Sequence, residues 1–338
     1  MGENHFDRLP QSGLVSSVMT TLTRDTPRDA TRAGLGFALT SAITFALSGA
    51  LARPLLDSGW TAGSVVLLRI AIGALVVLPF GLAALRGRWG LLRGAAPTVV
   101  LYGALAVAGA QFCYFSAVRT MEVGPALLIE YTAPATVVLW MWLVHGQRPG
   151  RLTVLGAIVA ALGLVLVLDL FAGADVDLRG AAWALGAMVG AAAYFVISAD
   201  DRSGLPPITL AAGGLVVGGG LLGGLGLAGL MPMAGSSAHV AYAGVETPPW
   251  LALIVLGLVT AALAYVSGIA ASRRLGSRLA SFVALSEVVM AVVWAWLLLD
   301  QLPAAIQLLG GGLILVGVVA VKLGESGVVV EQDEPVLV

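Results

Sequence analysis

Ten long apolar runs constrain this chain most strongly. They are Leu35 to Ala52, Val65 to Leu85, Ala96 to Val118, Pro125 to Val144, Leu152 to Phe171, Ala181 to Ile197, Ile208 to Leu230, Trp250 to Ala271, Leu279 to Leu299 and Ala304 to Val321. A helix needs about 20 apolar residues to cross a bilayer, and runs that do not alternate exclude a membrane β-barrel. Hydrophobic residues make up 59% of the chain and charged residues 11%. The sequence predicts an all-α integral membrane protein with ten transmembrane helices.

The basic residues predict how these helices are oriented. With a cytoplasmic N-terminus, the outer segments hold only Arg53, Arg119 and Arg179 of the 18 lysines and arginines, and Arg69 lies inside a span. Because cytoplasmic loops carry the excess of Lys and Arg, both termini are predicted to be cytoplasmic. Residues 1–32 are predicted to be a disordered N-terminal tail without a cleaved signal peptide, and residues 324–338 an acidic C-terminal tail.

The chain contains an internal repeat. The paired residues, all at one spacing, are Trp140 with Trp294, Trp142 with Trp296, and Gly156 with Gly310. The first repeat is predicted at 33–172 and the second at 179–323, each with five spans. An odd number of spans makes the second repeat enter the membrane from the opposite side. Inverted repeats of this kind are typical of secondary transporters, which use them for alternating access.

Two segments of these repeats resemble a known family. Gly124 to Trp140 is similar to the fourth helix of the threonine/homoserine exporter group, and Leu279 to Val319 resembles the closing helices of the EamA-domain repeat. The resemblance covers residues 33–323 and points to the drug/metabolite transporter superfamily. It implies two inverted five-helix repeats around a substrate cavity. The chain departs from the family's pattern where Val288 replaces the mid-helix proline that is kept as Pro134.

Four ionisable side chains fall within the predicted spans: Arg69, Glu130, Asp169 and Glu287. A charge at the bilayer centre costs about 2.5–3.5 kcal/mol, so such residues usually face the bundle interior or a cavity. Glu287 lies roughly 12 Å into the ninth helix among apolar neighbours that favour its neutral form. It is our best candidate for proton coupling, the alternative being a permanently protonated side chain bonded to a neighbouring helix.

The expected roles of the other three ionisable side chains are as follows. Glu130 either binds a cation or amine in the central cavity, or snorkels to the interface or pairs with Arg69. Arg69 either binds a substrate carboxylate, or snorkels to the headgroups, or serves as a packing partner. Asp169 lies at the outer end of its span and is expected to be solvated.

Aromatic residues are the remaining site candidates. Tyr114 and Tyr265 occupy matching places in the third and eighth helices, Phe45 and Tyr194 do so in the first and sixth, and Tyr131 is adjacent to Glu130. The family resemblance implies that these four helices line the substrate cavity. Aromatic and hydroxyl walls suit amphipathic metabolites, although packing between helices explains the same residues.

Several classes of function are disfavoured by the sequence. A net charge of -1 argues against nucleic-acid binding, and one cysteine with three scattered histidines argues against a metal or other cofactor. The sequence has no phosphate-binding loop and no HExxH or Ser/His pair for an intramembrane enzyme. We therefore predict a proton-coupled exporter of amino acids or similar small amphipathic metabolites in a bacterial cytoplasmic membrane.

Two alternative functions and one question of assembly remain open at this stage. An uncoupled facilitator is the nearest alternative, and an intramembrane enzyme is the more distant one. The expected partners are the lipid bilayer and a small-molecule substrate, and whether the chain forms a homodimer stays open.

Overall fold

A computed structural model describes residues 27–133, 136, 142–143, 150–167, 177–199, 202–268, 270–271, 274–275, 283 and 285–325. The predicted acidic tail beyond Glu325, the predicted kink at Pro134 and the predicted solvated Asp169 lie outside these residues. So does the predicted N-terminal tail before Pro27. A helix begins at Pro27, within the residues predicted to be a disordered tail, and the bounds of that tail stay a prediction. Proline suits the first position of a helix, where its missing N–H costs no hydrogen bond.

The first half of the chain is helical. Its helices are α1 (Pro27–Asp57), α2 (Ala62–Leu85), the short α3 (Trp89–Gly94), α4 (Ala96–Val118), α5 (Val123–Glu130) and α6 (Arg151–Val167). Thr61 caps α2 by accepting a hydrogen bond from the backbone N–H of Ser64, which satisfies one of the unpaired donors of the first turn. Arg86 ends α2 in the left-handed conformation.

The second half adds a β-hairpin to its helices. The elements are α7 (Leu178–Ala199), α8 (Pro207–Leu227), β1 (Val240–Tyr242), β2 (Val245–Thr247), α9 (Pro249–Gly268), α10 (Ser286–Leu299) and α11 (Ala305–Glu325). The prediction of an all-α chain was therefore wrong between α8 and α9. The two turn residues, Ala243 and Gly244, both have positive φ, which is the geometry that closes a two-residue hairpin.

Several helices are long and apolar enough to cross a membrane. Among the described residues, α1 from Arg32 onward, α2, α4, α8 and α9 meet the length and hydropathy of a span, and α6, α10 and α11 are shorter apolar helices. Large apolar side chains such as Leu75 and Leu155 point outward and are exposed, which suits contact with lipid. Each of the ten predicted spans overlaps one of α1, α2 and α4–α11, but ten membrane crossings remain a prediction.

Helices α4 and α9 share a rare feature. Each changes to π-helical geometry, at Tyr102–Gly109 in α4 and at Leu258–Leu263 in α9. We call these segments the first and second π-helix. Helix α8 packs against the first π-helix and α2 packs against the second. Short π segments inside α-helices often mark functional sites.

Helices α6 and α11 pack against each other in opposite directions. A Cβ atom added to Gly156 would lie 2.6 Å from the carbonyl oxygen of Gly317, and one added to Gly310 would lie 2.6 Å from that of Gly163. Gly156 and Gly310 are the repeat pair found in the sequence, and Gly163 and Gly317 have the same spacing. Glycines let two backbones approach this closely. The matching helices of the two repeats are therefore antiparallel and meet symmetrically.

Candidate functional site

A buried polar network lies where α2, α4 and α9 meet. Arg69 of α2 is 1% exposed. Its Nε donates to the hydroxyl of Thr260 at 2.9 Å and its Nη2 to the backbone oxygen of Thr260 at 2.7 Å. Its Nη1 donates to Oε1 of Gln111, whose Nε2 donates to the Tyr265 hydroxyl at 3.3 Å. We call these four residues the arginine network.

Aromatic rings cover the guanidinium of Arg69. Its central carbon lies 5.1 Å from the ring centre of Phe45 and 5.5 Å from that of Phe115. Both distances are within the range of a cation–π contact. Phe45 also packs edge-on against Tyr265, with ring centres 5.8 Å apart. The network is therefore closed by aromatic contacts as well as by hydrogen bonds.

Two carboxyl groups lie near this network, and we call Glu130 and Glu287 the acid pair. The Tyr131 hydroxyl donates to Oε2 of Glu287 at 2.6 Å and so joins α10 to the end of α5. Glu130 is the last residue of α5, and Glu287 lies in the first turn of α10. Both acids and Tyr131 are half-buried.

A turn adjoins each of the two helices that carry the acid pair, next to the acid. Tyr131 is a turn residue after α5 and Leu285 is a turn residue before α10, with helical Ala133 and Val283 on the far side of each turn. Tyr131 and Leu285 have the same 154-residue separation as Gln111 and Tyr265. Interrupted helices in the two repeats are a common setting for substrate and ion sites in transporters, because they free backbone polar groups.

The charges of the acid pair and Arg69 act on one another. Arg69 has electrostatic interactions with both Glu130 and Glu287, and the two glutamates interact with each other. Among the described residues, Arg69 forms no direct ion pair, and the ion pair found there joins Arg53 to Asp57. With one carboxyl protonated and the other ionised, the three groups sum to zero charge. That balance avoids the cost of an uncompensated charge in a low-dielectric interior.

The remaining predicted aromatic residues border the same region. Tyr114 of α4 is buried and interacts electrostatically with both acids. Tyr194 of α7 is half-buried and its ring centre lies 5.9 Å from that of Tyr102. Tyr194 also interacts electrostatically with Tyr131.

All eight residues proposed from the sequence thus lie in one connected region. The structure also bears on the alternative roles given above for Arg69 and Glu130. Arg69 is buried inside the bundle, which is not the position of a side chain that snorkels to the headgroups. Glu130 and Glu287 face groups on α2 and α4, which places them toward the bundle interior. The transport roles of these residues remain predictions.

Sequence reasoning missed two members of the arginine network, Gln111 and Thr260. Both residues are uncharged, and only ionisable and aromatic side chains within the spans were singled out from the sequence. Gln111 had one available signal, because it stands 154 residues before Tyr265, the spacing of the paired tryptophans. At that spacing Gln111, and not Tyr114 as we expected, is the counterpart of Tyr265. Thr260 had no comparable signal.

A separate cleft of about 690 Å³ opens where α1 and α10 end. It is lined by the end of α1, the β-hairpin and the end of α10, with Arg53, His239 and Asp300 among its polar residues. None of the eight predicted site residues lines it. Tyr242 of the hairpin donates to the backbone oxygen of Leu51 at 2.7 Å, which fixes the hairpin to α1.

Named relatives of this chain are exporters. The chain is 28% identical to the threonine/homoserine exporter RhtA of Salmonella typhimurium over 78% of this chain and 82% of that protein. It is 29% identical to RhtA of Escherichia coli K12 over 75% and 79% of the two chains. It is 24% identical to the pseudopaline exporter CntI of Pseudomonas aeruginosa over 88% of this chain and 99% of that protein.

A solved structure shares the fold of this chain, and a family model matches its sequence. A solved crystal structure that is 23% identical covers 88% of this chain and 98% of the other chain, with a TM-score of 0.57. The model of the EamA-like transporter family matches the chain twice, over residues 32–169 and 178–323. Together the two matches cover most of the chain, which is a multi-pass membrane protein. The chain therefore belongs to the EamA-like transporter family.

Proposed function

We propose that this protein is a proton-coupled secondary transporter that exports amino acids or similar small amphipathic metabolites. One observation carries the proposal: Arg69, Glu130 and Glu287, on three different helices, interact electrostatically beside the turn that follows α5 and the turn that precedes α10. Charged side chains inside a membrane usually belong to substrate or ion pathways. The relatives named as exporters support outward transport.

The proposed mechanism is alternating access by two inverted five-helix repeats. The antiparallel contact between α6 and α11 supports it, because matching helices of parallel repeats would run in the same direction. The acid pair is then located where the repeats meet, since Glu130 belongs to the first repeat and Glu287 to the second. Movement of one repeat against the other exposes this site to each side of the membrane in turn.

The charge balance of the site supports the proposed proton coupling. Arg69 compensates one carboxylate, so binding of a positively charged substrate group favours release of the proton that neutralised the other. Loss of the substrate favours return of a proton. Glu287 is the proposed proton carrier, with the Tyr131 hydroxyl holding its Oε2. Transport of an amine substrate is then exchanged for a proton.

The proposed location is a bacterial cytoplasmic membrane with both termini in the cytoplasm. The distribution of arginines supports this orientation through the positive-inside rule. In this orientation the β-hairpin and the cleft beside it lie on the outer face. Arg53, Arg119 and Arg179 are the basic residues on that side.

The test uses purified protein in liposomes loaded with radiolabelled threonine, with and without an imposed pH gradient. We expect efflux that depends on the gradient and falls by at least about tenfold in Glu287→Gln. Glu246→Gln is the matched control, because Glu246 is exposed on the hairpin, and it should not change efflux. Unchanged gradient-driven efflux in Glu287→Gln would refute the role of Glu287.

An uncoupled facilitator is the second candidate function. It is favoured by the half-buried, uncharged aromatic surfaces of Tyr194 and Phe45, which can pass an amphipathic solute without a proton. The same liposomes separate the two candidates. Equal threonine flux with and without the pH gradient, in both the unmodified protein and Glu287→Gln, identifies a facilitator.

A further inference from the structure

The guanidinium of Arg69 is already hydrogen-bonded to neighbouring groups of the protein. Three of its N–H groups are directed to Thr260 and Gln111, and the rings of Phe45 and Phe115 lie close to it. A carboxylate is best bound by two parallel N–H groups of an accessible guanidinium. With 1% of its surface exposed, Arg69 does not present that pair of donors to a ligand.

The acid pair, in contrast, retains accessible surface. Glu130, Glu287 and Tyr131 are all half-buried. A ligand that reaches this region meets carboxyl and phenol oxygens, which suit an ammonium group as ion-pair and hydrogen-bond partners. A ligand carboxylate placed there faces carboxyl groups of its own kind.

Glu130 and Glu287 differ in their own partners. Oε2 of Glu287 already accepts the hydrogen bond from Tyr131. Among the described residues, no hydrogen bond or ion pair is found for the Glu130 carboxyl, although Arg69 and Glu287 act on it electrostatically. The Glu130 carboxyl therefore keeps its oxygens available to a hydrogen-bond donor of a ligand.

We propose that the site recognises the ammonium end of its substrate, with Glu130 as the binding partner, and that Arg69 does not bind a substrate carboxylate. This inference rests on the proposed transport function and narrows its substrate class to amines, for which a carboxylate is dispensable. Arg69 is a positioning residue here. It holds the second π-helix through Thr260 and supplies a fixed positive charge that balances one acid.

The experiment compares three radiolabelled probes in the same proteoliposomes. They are threonine, its decarboxylated analogue 1-amino-2-propanol, and its deaminated analogue 3-hydroxybutyrate, each corrected for uptake by protein-free liposomes. We expect saturable transport of both amines with KM values within about tenfold of each other, because the carboxylate gains no ion pair. We expect no saturable transport of 3-hydroxybutyrate.

Two variants test the residue assignments. Glu130→Gln should raise KM for both amines by roughly 30-fold or more, since it removes one partner of a desolvated charge pair. Glu122→Gln, an exposed glutamate at the other end of α5, is the matched control and should change neither KM. Arg69→Lys should leave the ratio of the two KM values unchanged. If Arg69 instead bound the substrate carboxylate, this variant would lose transport of threonine but keep that of 1-amino-2-propanol.

The outcomes separate this inference from the proposed function. The amine-end inference is overturned if threonine shows saturable transport and 1-amino-2-propanol does not, or if 3-hydroxybutyrate shows saturable transport. Neither result contradicts the proposed transporter function. An unchanged KM in Glu130→Gln overturns the assignment of Glu130. A selective loss of threonine in Arg69→Lys overturns the assignment of Arg69. If none of the three probes moves, both the inference and the proposed export of amino acids are wrong.

Discussion

The two π-helices share a backbone geometry but are packed in different ways. The first π-helix, in α4, is packed against the glycine-rich α8. A Cβ atom added to Gly218 would lie 3.0 Å from the Gly103 carbonyl oxygen and 3.1 Å from a methyl carbon of Val107. The ring of Tyr102, in the same π-helix, also packs against Gly214 of α8, so this contact is made by backbone, small apolar groups and an aromatic ring.

The second π-helix, in α9, has a charged partner. Helix α2 approaches it through small residues too, since a Cβ atom added to Gly73 would lie 2.9 Å from Cβ of Ala261. In addition, Arg69 donates to both the hydroxyl and the backbone oxygen of Thr260. The second contact therefore contains a buried cation that the described contacts of the first do not use.

This difference between the two π-helices indicates whether their packing requires Arg69. In the contacts described for α4, a π-helix packs against a neighbouring helix with no arginine hydrogen-bonded to its backbone, and we infer that this geometry alone does not require Arg69. Arg69 instead interacts electrostatically with both members of the acid pair. We interpret the arginine as a feature of the site, added to a contact that the fold can make without it.

Replacing Arg69 should have the largest effect. Arg69→Met keeps a long apolar side chain but removes the countercharge of the acid pair and leaves Thr260 and Gln111 without their donor. Because it leaves buried charge uncompensated, we expect the free energy of unfolding to fall by about 3–5 kcal/mol. Denaturant titration in mixed detergent micelles measures this change, and threonine efflux per folded protein should also fall. Normal stability and normal efflux together would show that the arginine is dispensable.

Overpacking the first π-helix should have the next largest effect. In Gly218→Val, the added carbons collide with the backbone of Gly103 and the side chain of Val107. We expect a loss of about 2–3 kcal/mol in the free energy of unfolding, again measured in mixed micelles. The KM for threonine should not change, because this contact lies outside the acid pair. A changed KM with normal stability would contradict the distinction between the two π-helices.

Removing the partner of both Arg69 and Tyr265 should have a smaller effect. Gln111→Leu leaves one N–H of Arg69 and the Tyr265 hydroxyl unpaired, which costs about 1–3 kcal/mol of stability. Gln111→Glu is the comparison variant, since it keeps an acceptor for Arg69 and adds a negative charge. We expect Gln111→Glu to be the more stable of the two in the same titration. The reverse order would mean that Gln111 does not act through Arg69.

The sequence predicted the charged part of this site but not its scaffold. Arg69, Glu130 and Glu287 were found because a charge within an apolar run has a large cost in lipid. The π-helices and the turns at Tyr131 and Leu285 depend on contacts between helices, which local composition does not encode. The β-hairpin was missed because its strands are three residues each, too short for alternation to distinguish them from a loop.

The smallest expected effect is at Asp177, which lies outside both π-helices. It indicates how much a residue near the surface contributes to the stability of the fold. Asp177 precedes α7 and accepts backbone hydrogen bonds from Arg179 at 3.0 Å and Gly180 at 3.1 Å. A side-chain hydrogen bond with Thr120, followed by the bond from Gly180, lowers the pKa of Asp177 below its ordinary value of 3.8. A lowered pKa means that the ionised form stabilises the fold above pH 3.8, and that this contribution is lost as the pH falls through the lowered pKa.

Two substitutions at Asp177 separate its hydrogen bonds from its charge. Asp177→Asn keeps a capping oxygen, so it should retain most of the stability at pH 7 and lose the acid-dependent part. Asp177→Ala removes the cap and should cost about 1 kcal/mol at pH 7. Thermal unfolding in detergent at neutral and acidic pH measures both changes. An Asn variant that loses as much stability as the Ala variant at neutral pH would show that the charge, not the cap, stabilises α7. A loss at Asp177 as large as that at Arg69 would remove the argument that the buried cation is exceptional.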